Sequence, residues 1–338
     1  MSFETSRNFG ESSAPHIASH AASHARIESN IMQSQIIKSA QNATQSAQTT
    51  PQINPQADQQ KNPQTNPQAS QNLPKSESPK SPLEQLATTL KSELAKSHLS
   101  IDEMHKLLEQ NNAQELDLGI GLDVALELIK AQGLPLETDG AHYFLSTARV
   151  PLSEQRFCFV DIETTGAKPK ECQVIEIGAI TYQNGEIIGR FEEFIHAPHV
   201  PEMISEITGI TSEMLKDSRR AESVLRDFKE FLGDSVFVAH NVGFDYGFLS
   251  YALDSHGFGA LLNPRLCTIN LARKSILSRR YSLQYLNEFL GINTPIAHRA
   301  YADALTSLKV FEIALKCAPS HIRTAQDLID FSTGALKR

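Results

Sequence analysis

The stretch 157–166, FCFVDIETTG, constrains this chain more than any other. Phe157, Cys158, Phe159 and Val160 run into Asp161, Ile162 and Glu163. An apolar run of this kind predicts a short strand buried on both faces. Side chains alternate along a strand, so Asp161 and Glu163 share one side and Ile162 takes the other. Two carboxylates on one face at a strand end repel, and both stay ionised without large cost only when a cation sits between them. Hard oxygen ligands of this type suit Mg²⁺ or Mn²⁺ rather than zinc. Gly166 ends the strand and permits close approach of a ligand to the backbone. The competing reading is an exposed acidic strand end, and a lone D-x-E does not decide between the two.

The chain has 338 residues, room for two domains and a tail. Residues 1–80 are rich in Gln, Asn, Ser, Ala and Pro, with N-P-Q recurring at 54–56, 62–64 and 66–68. Such a segment buries too little apolar surface to offset its ordering entropy, so a disordered tail is expected there. His16, His20 and His24 stand four apart, and chance in an Ala/Ser/His-rich tail is preferred over a metal site. A small module is expected over 81–150. Leu83, Leu86, Leu90 and Leu94 have helical spacing, and Ser100 with Glu103 forms a capping box for 101–108. Residues 122–131 read as a third helix stopped by Gly133, and 134–145 as a hairpin around Asp139-Gly140. Three helices and a hairpin resemble a winged-helix module. Residues 81–150 hold five Lys/Arg against eleven Asp/Glu, and Asp123 and Glu127 sit on the third helix. A recognition helix should be basic or neutral, so a protein-docking or structural role is expected instead.

No stretch of eighteen apolar residues and no charged-then-apolar leader occurs, so neither a membrane span nor a signal peptide is expected. The four cysteines are scattered, which suits reduced thiols in a cytoplasm. A formal net charge of −8 argues against a broad DNA-coating surface, though not against a small acidic site that grips one strand end.

From Arg156 strands and helices alternate. Residues 173–182 and 186–195 read as strands joined by Asn184-Gly185, 220–232 as an amphipathic helix, and 235–239 as a buried strand. Helices are expected from about 243, then over 269–277, 283–290 and 301–316. Three strands followed by helix–strand–helix units is the order of an α/β, RNase H-like mixed sheet flanked by helices. Two more acidic signals lie in this region. Asp245 follows His240-Asn241-Val242-Gly243-Phe244, with Asn241 as the expected helix N-cap. Asp303 closes His298-Arg299-Ala300-Tyr301-Ala302-Asp303 at the start of the long helix.

D-x-E, then Asp after H-N-x-x-F, then H-x-A-x-x-D, in this order, resembles the DnaQ-like, or DEDDh, 3′–5′ exonucleases. The resemblance spans about 156–315 and is nearest to the proofreading epsilon branch of bacterial DNA polymerase III. Thr208-Gly209-Ile210, 267–274 and 281–290 extend it. It bounds an exonuclease domain at 151–318, preceded by the small module and followed by a tail at 319–338. It implies release of mononucleotides from DNA 3′ ends with two Mg²⁺ or Mn²⁺ ions. Asp161, Glu163 and Asp303 would be direct ligands, with Asp245 completing the site. Two divalent ions about 4 Å apart serve both ends of an in-line displacement. His298 would be the general base, because imidazole accepts a proton at neutral pH. Thr164, Thr165, Gly166, His240, Asn241 and Phe244 would contact the terminal nucleotide. A mismatched end is the easier substrate, having already lost part of its pairing energy.

The alternatives are an RNA-trimming exonuclease and, in another class, a non-catalytic replisome adaptor; intact acids and His298 argue against the latter. The polymerase III catalytic subunit and a sliding clamp are the expected partners. For the clamp, Gln326-Asp327-Leu328-Ile329-Asp330-Phe331 resembles a Q-x-x-[aliphatic]-x-F docking peptide. The preferred reading of that segment is a last short helix packed on the domain.

Overall fold

A computed structural model describes residues 82–110, 122–294 and 298–335. The expected tail 1–80, with its N-P-Q repeats and His16, His20 and His24, lies outside the described residues. All the described residues fall in one compact unit, Ser76–Arg338.

The first part comprises α1 (Pro82–Leu94), β1 (Leu99–Ser100), α2 (Ile101–Gln110), α3 (Leu122–Ala131), β2 (Leu136–Thr138), β3 (His142–Leu145) and α4 (Ser146–Arg149). Its strands form an antiparallel sheet in the order β1-β3-β2. Leu90, Leu94, Met104, Ile129, Leu134 and Leu145 anchor a separate core. The capping box is present: Ser100 N–H donates to Glu103 Oε2 at 2.8 Å, and Glu103 N–H to Ser100 Oγ at 3.3 Å. Gly133, with φ 95°, packs so closely on Asn263 that a Cβ would lie 2.1 Å from its Oδ1. Leu262 N–H donates to Gln132 O at 2.8 Å beside it, so this part is seated on the second.

The second part comprises β4 (Phe157–Thr164), β5 (Val174–Gln183), β6 (Glu186–Phe194), α5 (Glu202–Thr208), α6 (Ser212–Leu215), α7 (Ala221–Leu232), β7 (Val236–Ala239) and α8 (Val242–Ser255). It continues with β8 (Arg265–Cys267), α9 (Thr268–Ser275), α10 (Leu283–Phe289), α11 (Ala300–Lys316) and α12 (Ala325–Thr333). The sheet order is β6-β5-β4-β7-β8, with β4 antiparallel to β5 and parallel to β7. Asn184 (φ 54°) and Gly185 (φ 82°) are both left-handed, the requirement of the tight turn between β5 and β6.

Alternation along β4 feeds two cores. Phe157 and Phe159 join α9, α10, α11 and α12 on one face. Cys158, Val160 and Ile162 join α7 and α8 on the other. Asp161 and Glu163 continue the Phe157–Phe159 side and so point toward the face that carries α11. The chain reverses direction of growth at β4, with β5 on one side and β7 on the other. Such a switch point opens a crevice beyond the strand ends.

The C-terminal residues are not a free tail. Thr324 and Asp327 form a capping box for α12, and Ala325 and Leu328 are fully buried in the first core. Phe331 is half-buried against the same core, and Gln326 Nε2 donates to Asp330 Oδ1 at 2.9 Å within the helix. Ile329 and Phe331, the anchors a docking peptide would use, are partly buried against the same core, which favours the packed last helix over the docking peptide.

Candidate active site

Four elements deliver the site. β4 ends in Asp161 and Glu163, α8 carries Asp245 in its first turn, α11 carries Asp303 in its first turn, and His298 precedes α11. Ligand atoms of Glu163, His298 and Asp303 all lie within 4.8 Å of one another. Asp245 is buried and accepts from the Ile162 backbone N–H, which ties α8 to β4 between the two strand acids. Asp161 stands among Asp245, Asp303 and Glu163.

The electrostatics follow from this crowding. Burial, and then the neighbouring acids, push Asp161 well above the ordinary carboxylate range. Burial, Glu176 and Asp303 push Glu163 up to about 8. Burial pushes Asp245 up to about 7 against the pull of its backbone hydrogen bonds. Burial also raises Asp303, opposed by its bond from the His298 N–H. Carboxylates that hold protons near neutrality for want of a counter-charge are a fitting donor set for a divalent cation, which would take the protons' place. The oxygen-rich set with one imidazole suits a hard ion and offers no thiolate.

The structure brings Asp161, Glu163, Asp245, Asp303 and His298 together. The expected nucleotide contacts divide. Phe244 is 36% exposed and leans on Phe248 with ring centroids 4.9 Å apart, so its face is available. Asn241 is exposed at the N-cap of α8, but in a left-handed conformation (φ 79°) with no side-chain capping bond. Thr165 and Gly166 lie at the mouth; Thr165 Oγ1 accepts from Gln173 N–H at 3.0 Å, and Gly166 lies so close to Cys172 Sγ that a Cβ would clash. Thr164 is buried, and its hydroxyl donates to Gly166 O at 2.7 Å. His240 is corrected from a nucleotide contact to an internal brace. Its Nδ1 lies 2.8 Å from Thr268 Oγ1 and its Nε2 2.8 Å from Tyr281 O, and burial pulls its pKa down to about 4. A neutral ring with both nitrogens engaged has nothing left for a ligand.

Two residues of the site escaped the sequence reading. Glu176 on β5 is 1% exposed and forms an ion pair with Arg299, Nη2 to Oε1 at 2.9 Å. The available signal was a glutamate inside an apolar run, since a fully buried glutamate is rare without a partner.

The sheet order β6-β5-β4-β7-β8 sets the acid cluster at the switch point of a mixed sheet flanked by helices, the geometry of a candidate metal centre. Residues 158–311 match the family model described as Exonuclease (RNase_T). Among curated relatives, a PolC-type DNA polymerase III of Halalkalibacterium halodurans is 40% identical over 172 residues, covering 50% of this chain and 12% of that protein. A PolC-type DNA polymerase III of Staphylococcus aureus is 36% identical over 179 residues, covering 52% of this chain and 12% of that protein. The chain thus spans a small fraction of the length of these relatives. Among solved structures, E. coli exonuclease I with a dA16 oligonucleotide overlaps at TM-score 0.47 and 16% identity, covering 55% of this chain and 46% of that one. A likeness at that level carries no weight on substrate. No helix among the described residues is long and apolar enough to cross a membrane.

Proposed function

We propose that this protein is a metal-dependent 3′–5′ exonuclease that releases mononucleotides from DNA 3′ ends, in proofreading of replication or in repair. The observation that carries the reading is the meeting of Glu163, His298 and Asp303 ligand atoms within 4.8 Å beside Asp161 and Asp245. Its likeness to PolC-type polymerases supports DNA as the polymer and a polymerase III catalytic subunit as the partner. Asp161, Glu163, Asp245 and Asp303 would hold Mg²⁺ or Mn²⁺. Such ions would supply hydroxide at neutral pH and charge stabilisation at the leaving 3′ oxygen. His298 takes the proton of the attacking water at its imidazole nitrogen. Thr165 and Gly166 border the terminal nucleotide, and Phe244 offers its ring face to the end base. A cytoplasmic location follows from this role. Residues 81–150 act as a docking or structural module, consistent with Asp123 and Glu127 on the third helix.

The test is purified protein with 5′-labelled single strands of matched DNA and RNA, with Mg²⁺, Mn²⁺ or EDTA. Metal-dependent shortening of DNA one nucleotide at a time from the 3′ end is the expected result. Preferential shortening of RNA would replace the substrate assignment, and no hydrolysis with either ion would refute the enzyme.

A further inference from the structure

Glu176 faces Glu163 across the β4–β5 pair. Its carboxylate accepts from Arg299 Nε at 3.1 Å, from Arg299 Nη2 at 2.9 Å and from the Ala300 backbone N–H at 3.2 Å. The guanidinium also lies over the Phe194 ring, 5.1 Å from its centroid. One carboxylate therefore holds a side chain and the next backbone amide, both between His298 and Asp303. Two positions along β5, Gly178 pairs with Asp161. A Cβ on Gly178 would stand 2.1 Å from the Tyr301 nitrogen, so the start of α11 rests directly on the β5 backbone. His298 has φ 61°, a left-handed conformation that a histidine keeps only where its surroundings fix it. Its N–H donates to Asp303 Oδ2 at 3.0 Å.

We propose that Glu176 and Arg299 are positioning residues: the pair clamps residues 298–300 against β5, so that His298 and Asp303 meet Glu163 in the arrangement hydrolysis requires. This rests on the exonuclease reading above. Glu176 is buried and Arg299 about one third exposed; desolvating the carboxylate offsets much of what the pair gains, so placement is what it supplies. The fork geometry of Arg matters, because two parallel bonds fix direction where a point charge would not. The rival account is that Arg299 only neutralises Glu176. The two part company when both charges are removed together.

The experiment compares wild type, Arg299→Ala, Arg299→Lys and the double variant Glu176→Ala/Arg299→Ala. Three quantities are read: the melting temperature without metal, Mn²⁺ affinity by calorimetry, and kcat and KM on a short single-stranded DNA. The double variant should melt no lower than Arg299→Ala, since no unpaired buried charge remains. Its kcat should stay about 100-fold below wild type with KM within about threefold, and its Mn²⁺ affinity should fall about tenfold. Arg299→Lys should recover only part of the rate. A folded double variant with wild-type kcat and Mn²⁺ affinity would overturn the clamp, as would full activity in Arg299→Lys. If wild type itself hydrolyses nothing, the functional reading fails, and the Mn²⁺ affinities alone then decide the clamp.

Discussion

Glu176 and Asp161 are acids sunk in adjacent strands, and their surroundings differ in kind. Glu176 has a guanidinium and a backbone N–H as partners. Asp161 has Asp245, Asp303 and Glu163 as charged neighbours. Position in the strand does not explain the contrast, because Glu163 and Glu176 are register partners. It arises from what packs above them. The loop before α11 brings Arg299 to one acid, while the first turn of α11 brings Asp303 to the others. A compensated acid is architecture. An uncompensated group of acids is a site with a charge deficit, and a cation relieves it. Substitutions should therefore act in opposite directions at the two places.

The largest expected effect is on rate. Asp161→Ala or Asp303→Ala should lower kcat by about 10³-fold or more, the loss expected when a ligand of the catalytic ions is removed. Hydrolysis within about tenfold of wild type by either variant would show that the cluster is not the reaction centre.

Gly178→Ala comes next. The added methyl meets backbone atoms of Ala300 and Tyr301 at 2.1–2.5 Å, and backbone cannot step aside as a side chain can. A destabilisation of about 3 kcal/mol is expected from denaturant midpoints, the upper part of the range for overpacking. An unchanged midpoint would mean that α11 is not seated on β5 and that the contrast has another origin.

The legibility of the molecule followed the same divide. Strong periodicity placed β4, β5, β6 and α7 to within a residue or two, and the Ser100/Glu103 box was readable because its partners are three residues apart. Asp161, Glu163, Asp245, His298 and Asp303 were readable through the order of three motifs that resembles the DnaQ-like exonucleases, since no one of the three motifs decides alone. Glu176 and Arg299 were not, since their pairing spans 123 residues and only the fold reveals it. His240 looked like a nucleotide contact until Thr268 and Tyr281, distant in sequence, claimed both ring nitrogens. Short helices such as α5 and α6 and the three-residue β8 lacked enough length for a periodic signal. In α12, Ile329 and Phe331 fit a docking peptide as well as a packed helix, and only their partial burial on the core, visible in the fold, favours the helix.

A moderate effect should appear with pH. The folded-state affinities for protons at Glu163 (about 8) and Asp245 (about 7) lie above unfolded values near 4. The folded protein therefore binds more protons than the unfolded one between about pH 4 and 8, and this contribution to stability is complete below that window and lost as pH rises through it. Melting of the EDTA-treated protein should fall from pH 5.5 to 8, and Mg²⁺ should restore more at pH 8 than at pH 5.5. A flat profile would show that the acids are already compensated.

The smallest effect concerns the strained loop. His298→Gly and His298→Ala both remove the imidazole, but only glycine relaxes φ 61°. The glycine variant should be the more stable of the two by about 1 kcal/mol, with both losing about 10²-fold or more in kcat. Equal stabilities would place the strain elsewhere.

The charge deficit itself is tested most directly by the metal-free melting temperature of Asp161→Asn at pH 8 against wild type. Removing one charge from an uncompensated group should leave that temperature unchanged or raise it. A fall of several degrees would show that Asp161 is held by favourable contacts like those of Glu176, and the distinction between the two acids would collapse.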